Sequence, residues 1–172
     1  VLEDVWIDGR VPVVRWSFQN IAPDTPAKKV QAECFPGGAQ IRSLEIQDVE
    51  RLSKELGMEV LQNFENEEKL LNYGGVIVER NGLLLSACCA FAAIGAEVEV
   101  AVSTCPGHRR QGHAYAAAQA YLADCNERGL HPSWDASSMA SRQLAMRLGF
   151  IAPVEYIAQY RAVSPTEIDK IF

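Results

Sequence analysis

Apolar and polar residues alternate most strictly from Glu97 to Thr104. Glu97, Glu99, Ala101 and Ser103 fall on one side, and Val98, Val100 and Val102 on the other, the period of a half-buried β-strand. Before it, Val76 to Arg80 reads as a strand, Asn81-Gly82 as a tight hairpin turn, and Leu83 to Ala93 as the return strand. Gly95 turns the chain again, so the three strands form an antiparallel meander. After it, Ala114, Ala117, Ala118, Tyr121, Leu122 and Cys125 repeat at helical spacing, which predicts a helix over Gly112 to Arg128 stopped by Gly129. Many of these positions are alanine, so the helix can lie close to a sheet. Leu130 to Asp135 reads as the next strand. Ser137 or Ser138 then caps a helix whose Ala140, Leu144, Ala145 and Leu148 face inward, Gly149 ends it, and Phe150 to Val163 reads as one or two closing strands.

The N-terminal third follows weaker signals. Val5 to Ile7 and Val11 to Phe18 read as short strands around Asp8-Gly9, with Pro12 suited to a sheet edge. Thr25-Pro26 opens a short helix to about Phe35, and Pro36-Gly37-Gly38 breaks it. Ile41 to Gln47 reads as a strand, followed by a helix capped by Asp48 that buries Val49, Leu52 and Leu56 and is interrupted by Gly57. Met58 to Tyr73 reads as a further helix, with Glu65 to Glu68 as a solvated acidic face or an attraction for a cationic substrate. Ser164-Pro165-Thr166-Glu167 has the spacing of a capping box and predicts a last helical turn. The division expected is an N-terminal extension over 1–40 and a domain over 41–172.

The chain has 172 residues, 48% apolar and 22% charged, with a formal net charge of −6, values of an ordinary globular protein with no basic face for nucleic acid. Five cysteines without a CxxC pair suggest reduced thiols and a cytoplasmic setting. The longest apolar run, Leu83 to Ile94, is too short to span a membrane. His108 and His113 lack an acidic or cysteine partner at ligand spacing, so no metal is expected.

The candidate chemistry sits where the alternating strand meets the alanine-rich helix. The turn Cys105-Pro106-Gly107-His108-Arg109-Arg110-Gln111-Gly112-His113-Ala114 places two arginines and a glycine at a helix entrance. The first amides of a helix lack intrahelical partners and the helix dipole favours an anion there, so the turn is a candidate cradle for an anion such as phosphate, or an ordinary strand-to-helix turn with exposed arginines. Glu97 and Glu99, on one face of the strand, are candidates for a general base, and their closeness would push one pKa upward.

These residues resemble the GNAT N-acetyltransferase superfamily, whose Q/R-x-x-G-x-G/A motif reads here as Arg109-x-x-Gly112-x-Ala114. Pro132-Ser133-Trp134-Asp135, then Ala140-Ser141-x-x-Leu144-Ala145-x-x-Leu148-Gly149-Phe150, is similar to the zwittermicin A resistance-type branch. So are Gly75 to Val78 with Ser86, and Glu99-x-x-x-x-Thr104-x-Pro106-x-x-Arg109. The resemblance spans roughly residues 60–151.

It implies an α/β (α+β) fold. A mixed, mostly antiparallel, twisted sheet would be flanked by helices and splayed between the strand before and the strand after the CoA-binding helix. It implies acetyl-CoA as co-substrate and the primary amine of a small molecule as acceptor, acetylated by direct attack in a ternary complex, with a homodimer as one arrangement. Cofactor contacts would come from Val102, Ser103 and Thr104 to pantetheine and from Arg109, Arg110, Gln111, Gly112, His113 and Ala114 to the pyrophosphate, with Ser138 and Ser141 as further contacts. Glu99 matches the family's glutamate, with Glu97 second. The chain departs from the family at Ser138, where asparagine is common, at Gln111, where lysine or arginine is common, and at Ala145, where a tyrosine commonly protonates the departing thiolate. Tyr115, Tyr156 and Tyr160 are substitutes for that acid. A catalytically weak acyl-CoA-binding module is the alternative reading, and a protein N-terminal or lysine acetyltransferase would share the same donor site.

Overall fold

The elements follow in the order β1 (Arg10–Phe18), β2 (Asn20–Ile21), β3 (Gln40–Ser43), α1 (Ile46–Leu56), α2 (Glu67–Leu71), β4 (Gly75–Arg80), β5 (Leu83–Ile94), β6 (Glu97–Thr104), α3 (His113–Arg128), β7 (His131–Ala136), α4 (Met139–Arg147), β8 (Phe150–Ile151) and β9 (Val154–Arg161). The computed structural model describes residues 10–21 and 38–161. The expected strand Val5–Ile7 with its Asp8-Gly9 turn, the helix from Thr25 to about Phe35, the turn at Ser164 to Glu167, and Cys34 lie outside the described residues. This is a mixed α/β fold of mostly antiparallel strands flanked by helices.

The described residues form two compact units, residues 38–133, and residues 10–21 with 134–161. In the larger unit β3, β4, β5 and β6 pair antiparallel in that order. The expected meander is present, and its hairpin turn has the geometry that Asn-Gly provides, with φ of 52° at Asn81 and 77° at Gly82. The beginning of β7 pairs parallel with β6, Glu97 opposite His131 and Glu99 opposite Ser133. Helix α3 packs against β4, β5 and β6. It buries a broader face than the expected stripe: His113, Ala116 and Ala123 are buried with Ala117, Ala118, Tyr121 and Cys125, while Ala114 and Leu122 are half-buried. Alanine leaves room for close approach on several sides, so burial spreads around the helix. The Tyr121 hydroxyl, taken into this core, donates to the Tyr73 carbonyl at 3.1 Å.

Two expectations on the N-terminal side of the meander are corrected. The predicted strand Ile41–Gln47 ends at Ser43, and Glu45 rather than Asp48 is the N-cap of α1. Asp48 lies one turn inside, where its Oδ2 accepts from the Glu45 N–H at 3.1 Å and from Arg42 at 2.6 Å. These bonds start the helix earlier than the apolar spacing suggests. The predicted helix Met58–Tyr73 is a 3₁₀ turn at Leu61–Asn63 followed by the short helix α2. Phe64 is extended, with φ of −129°, and Asn66 caps α2 by accepting from the Lys69 N–H at 3.0 Å. Asparagine's preference for a cap position overrides the apolar periodicity there.

In the smaller unit the end of β7 pairs antiparallel with β1, and β1 pairs with β9, Val13 opposite Ala158. β2 and β8 form a separate two-stranded ladder. Ser138 caps α4 by accepting from the Ser141 N–H at 3.2 Å. Ala145 and Leu148 are buried as expected, whereas Leu144 is half-buried and Ala140 exposed. Trp134, Phe18 and Phe150 form the aromatic core, with Phe150 centred 5.6 Å from Trp134 and 6.2 Å from Phe18.

Candidate active site

β6 presents two different faces and two different edges. Val98 and Val100 are buried, while Glu99 on the other face is half-buried and Glu97 exposed. The C-terminal end of α1 lies on the glutamate face, since the Ser103 hydroxyl donates to the Leu56 carbonyl at 2.8 Å. Glu97 and Glu99 therefore share a face, as the alternation predicts.

The two edges follow from backbone parity. The His131 N–H donates to the Ala96 carbonyl at 2.8 Å and the Ser133 hydroxyl to the Val98 carbonyl at 3.3 Å, so even-numbered residues of β6 turn their backbone groups toward the β7 side. Odd-numbered residues turn theirs toward β5. The Cys105 N–H donates to Leu85 O at 2.9 Å, and the Ser103 carbonyl accepts from the Ser86 hydroxyl at 2.7 Å. The β6–β7 ladder stops at the Glu99–Ser133 pair, whereas the β5–β6 ladder continues to Thr104. From Val100 to Thr104, β6 thus presents one edge beyond the end of its parallel ladder. Val102 and Thr104 face it with their backbones, and Ser103 faces the opposite way, with both its hydroxyl and its carbonyl engaged.

The chain then enters a 3₁₀ turn at Pro106–His108 and reaches α3 through Arg109 to Gly112. Arg110 has φ of 63° and Gly112 of 87°, and these two left-handed residues fold the loop back onto the helix axis. The first bond inside the helix runs from the Ala116 N–H to the Gly112 carbonyl at 3.0 Å, so the preceding amides lie at the unsatisfied end. A Cβ added at Gly112 would meet no atom within 4 Å. Arg109, Arg110 and Gln111 are exposed, and Arg109 Nε donates to the Thr104 carbonyl at 3.4 Å, which ties the turn to the strand edge. His113 is buried at the start of the helix, and burial, then the neighbouring His108 and Arg80, holds its pKa below the ordinary histidine value. Ala114 is half-buried.

The structure thus brings Glu97, Glu99, Val102, Ser103, Thr104 and Arg109 to Ala114 together on one strand–turn–helix unit. Ser138 and Ser141 belong to the smaller unit, where Ser138 caps α4 and the Ser141 hydroxyl accepts from Trp134 Nε1 at 3.0 Å. Trp134 is a core residue. Asp135 accepts from Arg15 Nε at 2.9 Å and from the Tyr156 hydroxyl. Burial, then that hydrogen bond to Asp135, pushes the Tyr156 phenol up to about 12. Tyr160 accepts from Arg15. Cys105 is a half-buried free thiol. Among the described residues no group of three or more His, Cys, Asp or Glu could hold a metal ion, and no helix is long and apolar enough to cross a membrane.

One feature of the strand pair gave no sequence signal. The register of β5 against β6 shifts between Ala90 and Ala92, so Phe91 and Ala92 together oppose Glu99. The apolar run Leu83–Ile94 hides this extra residue because both neighbours are alanine.

The whole pattern agrees with known proteins. The family model for GNAT acetyltransferase matches residues 2–159. No curated protein matches the chain in sequence. Among solved structures, a GCN5-related N-acetyltransferase-like protein of Streptococcus suis superposes with a TM-score of 0.76 at 24% identity, over 92% of this chain and 66% of that one. A GCN5-related N-acetyltransferase of Kribbella flavida gives 0.58 at 17% identity, over 92% of this chain and 61% of that one. The protein yncA of Salmonella typhimurium, whose structure holds acetyl-CoA, gives 0.52 at 15% identity, over 74% of this chain and 97% of that one. The chain therefore spans about two thirds of the length of the first two. With the family model matching most of its residues and the fold shared with these structures, the chain belongs to the GNAT acetyltransferase family.

Proposed function

We propose that the protein transfers an acetyl group from acetyl-CoA to the primary amine of a small molecule, by direct attack in a ternary complex. The observation that carries this is the edge of β6 beyond its parallel ladder, leading through the 3₁₀ turn at Pro106–His108 into the Arg109–Ala114 turn. An extended chain with two amides, such as pantetheine, can pair with such an edge as an added strand. Val102 and Thr104 offer their backbone groups there, and Ser103 holds the strand from the other side. The pyrophosphate suits the amides of Arg110 to Ala114, with Arg109 and Arg110 adding charge-assisted bonds. The open space at Gly112 lets a phosphate approach the backbone. Ser138 and Ser141 are proposed as further contacts.

The thioester supplies an activated acetyl group. Glu99, directly or through water, takes a proton from the acceptor ammonium, with Glu97 second. The amine nitrogen then attacks the carbonyl carbon, and a C–N bond forms. The tetrahedral oxygen gains a hydrogen bond from the Val102 N–H on the same strand edge, the added nitrogen gives up its surplus proton through water, and as the C–S bond breaks the leaving sulfur takes up a proton to give the CoA thiol. Tyr156 is a poor source of that proton, being bonded to Asp135 and raised to about 12. The zwittermicin A resistance-type branch, an aminated antibiotic or metabolite as acceptor, a cytoplasmic setting and a homodimer belong to this proposal.

Thiol release from acetyl-CoA across a panel of amines tests it, with the parent compared to Glu99→Gln. Turnover in the parent that falls at least about a hundredfold in Glu99→Gln, with CoA affinity kept, supports the enzyme. CoA binding in the parent without turnover on any amine favours an acyl-CoA-binding module instead. The observation behind that second reading is Ala145, fully buried in α4 at the position where the family commonly has its thiolate acid.

A further inference from the structure

The β-bulge in β5 stands directly opposite Glu99. Cys89 pairs with Ala101 on the glutamate face, Ala90 pairs with Val100 on the α3 face, and Ala92 pairs with Glu99. Phe91 is the inserted residue, and a bulge turns its two opposing residues toward the same side of the sheet while bending the strand. Phe91 and Ala92 are thereby presented beside Glu99. Two residues further, Ile94 pairs with Glu97 on the same face.

Two of these residues are left partly in water. The β5 residues from Leu84 to Ala90 are all buried, yet Phe91 is 36% exposed and Ile94 is 85% exposed. A phenyl ring left partly in water forgoes part of the stabilisation that a core aromatic would provide. The bulge is also held from outside the sheet. Asn63, at the end of the 3₁₀ turn between α1 and α2, donates from Nδ2 to the Phe91 carbonyl at 3.0 Å. A bulge leaves backbone groups out of the ladder, and this bond satisfies one of them. The glutamate face therefore carries two carboxylates flanked by an exposed aromatic and an exposed aliphatic side chain, with the backbone that carries the aromatic held by the Asn63 side chain.

We propose that Phe91, presented by the Asn63-clamped bulge, is a specificity-determining residue that selects acceptor amines carrying an aromatic or bulky apolar body next to the amino group. The inference rests on Glu99 acting at the acceptor amine. The ammonium meets Glu99 and Glu97, and the apolar body lies against Phe91, where ring–ring contact and apolar burial add to binding. A cation beside the ring face is favoured as well. Asn63 is a positioning residue, since it acts through the bulge.

The test uses the protein saturated with CoA, titrated with 2-phenylethylamine and with ethylamine, following the amide resonances of Asn63, Phe91, Ala92 and Glu99. The phenyl compound is expected to bind at least tenfold more tightly than ethylamine and to shift these resonances. Phe91→Ala removes that advantage and leaves ethylamine and CoA affinities unchanged. Phe91→Leu, which keeps an apolar side chain, retains part of it, and Asn63→Ala lowers the ratio without changing CoA affinity. Equal binding of the two amines to the parent, binding of neither, or an advantage that survives in Phe91→Ala overturns the proposal. Thiol release from acetyl-CoA with the same proteins, prepared free of CoA, separates the two readings. Turnover with no preference for the phenyl compound overturns the role of Phe91 and leaves acetyl transfer standing. A preference in binding without turnover does the reverse.

Discussion

Asp48 and Arg42 meet through two parallel hydrogen bonds, Nη1 to Oδ2 at 2.6 Å and Nη2 to Oδ1 at 2.9 Å. Asp48 is 1% exposed, and Arg51 approaches the same carboxylate at 3.3 Å. Arg42 continues to Glu79 on β4 at 3.0 Å, and Arg51 reaches the Gly82 carbonyl of the hairpin turn at 2.9 Å. Helix α1 is thus fastened to the meander that carries the candidate site. Asp48→Ala leaves two guanidinium groups without their shared carboxylate, and the expected loss is about 3 kcal/mol, at the lower end for a broken buried pair because Arg42 retains contact with water. Urea unfolding of parent and variant at neutral pH measures it.

The same pair gives a pH dependence. Burial alone would raise the Asp48 carboxyl, but hydrogen bonds from Arg42 and from the Glu45 N–H outweigh it, and its pKa lies below the ordinary aspartate value of 3.8. A carboxylate with a depressed folded pKa contributes stability that is present above its unfolded value and lost as pH falls through the folded one. The stability gap between parent and Asp48→Asn is therefore constant near neutrality and narrows as pH falls below 3.8. Unfolding curves at a series of acidic pH values check this. A gap that widens toward low pH would contradict the assignment.

The central part of the fold was legible because its two faces differ in chemistry. The alternation of Glu97, Glu99 and Ser103 with valines could be read directly, and Asn81-Gly82 named its turn through the positive φ that both residues adopt. Gly112 likewise marked the helix entrance by its conformation. Less legible were features decided by partners distant in sequence. Asp48 is drawn into the first turn of α1 by Arg42, and the bulge at Phe91 exists only relative to the register of β6. The direction in which the Ser103 backbone faces was equally hidden, since residue type does not fix backbone parity.

Two glycines in the larger unit separate packing from ligand space. A Cβ at Gly75 would lie 2.7 Å from Leu44 Cδ2, 2.9 Å from Leu44 Cβ and 3.0 Å from Cys89 Cβ. Gly75→Ala therefore overpacks the contact between β4 and the chain just before α1, and a loss of about 1–3 kcal/mol is expected in thermal or denaturant unfolding. The site chemistry would be affected only through stability, so CoA affinity measured well below the transition should be retained.

Gly112→Ala has the opposite signature. No atom lies within 4 Å of the added methyl, so the cost is backbone strain at φ of 87°, about 1–3 kcal/mol. Under the proposed function that methyl occupies the space through which the pyrophosphate approaches the amides. CoA affinity is expected to fall at least about tenfold, equivalent to about 1.4 kcal/mol. Titration calorimetry with CoA, on both variants and the parent, reads the contrast. Equal affinity in Gly112→Ala and parent would remove the turn from the donor site.

Tyr156 offers the sharpest check on the unresolved acid. Its hydroxyl donates to Asp135, which also accepts from Arg15 at 2.9 Å, and burial together with this bond raises the phenol to about 12. A proton held that firmly is poorly matched to a thiolate leaving group, since a general acid works best with a pKa near the working pH. Tyr156→Phe should therefore leave the maximal rate of acetyl transfer within about twofold of the parent, and leave the alkaline limb of the pH–rate profile in place. The phenol's raised pKa instead favours folding below its unfolded value of 10.0, and that contribution is lost as pH rises toward 12. Loss of stability at neutral pH with rate retained assigns Tyr156 to the Arg15–Asp135 network. A hundredfold loss of rate with the alkaline limb displaced would make it the missing acid.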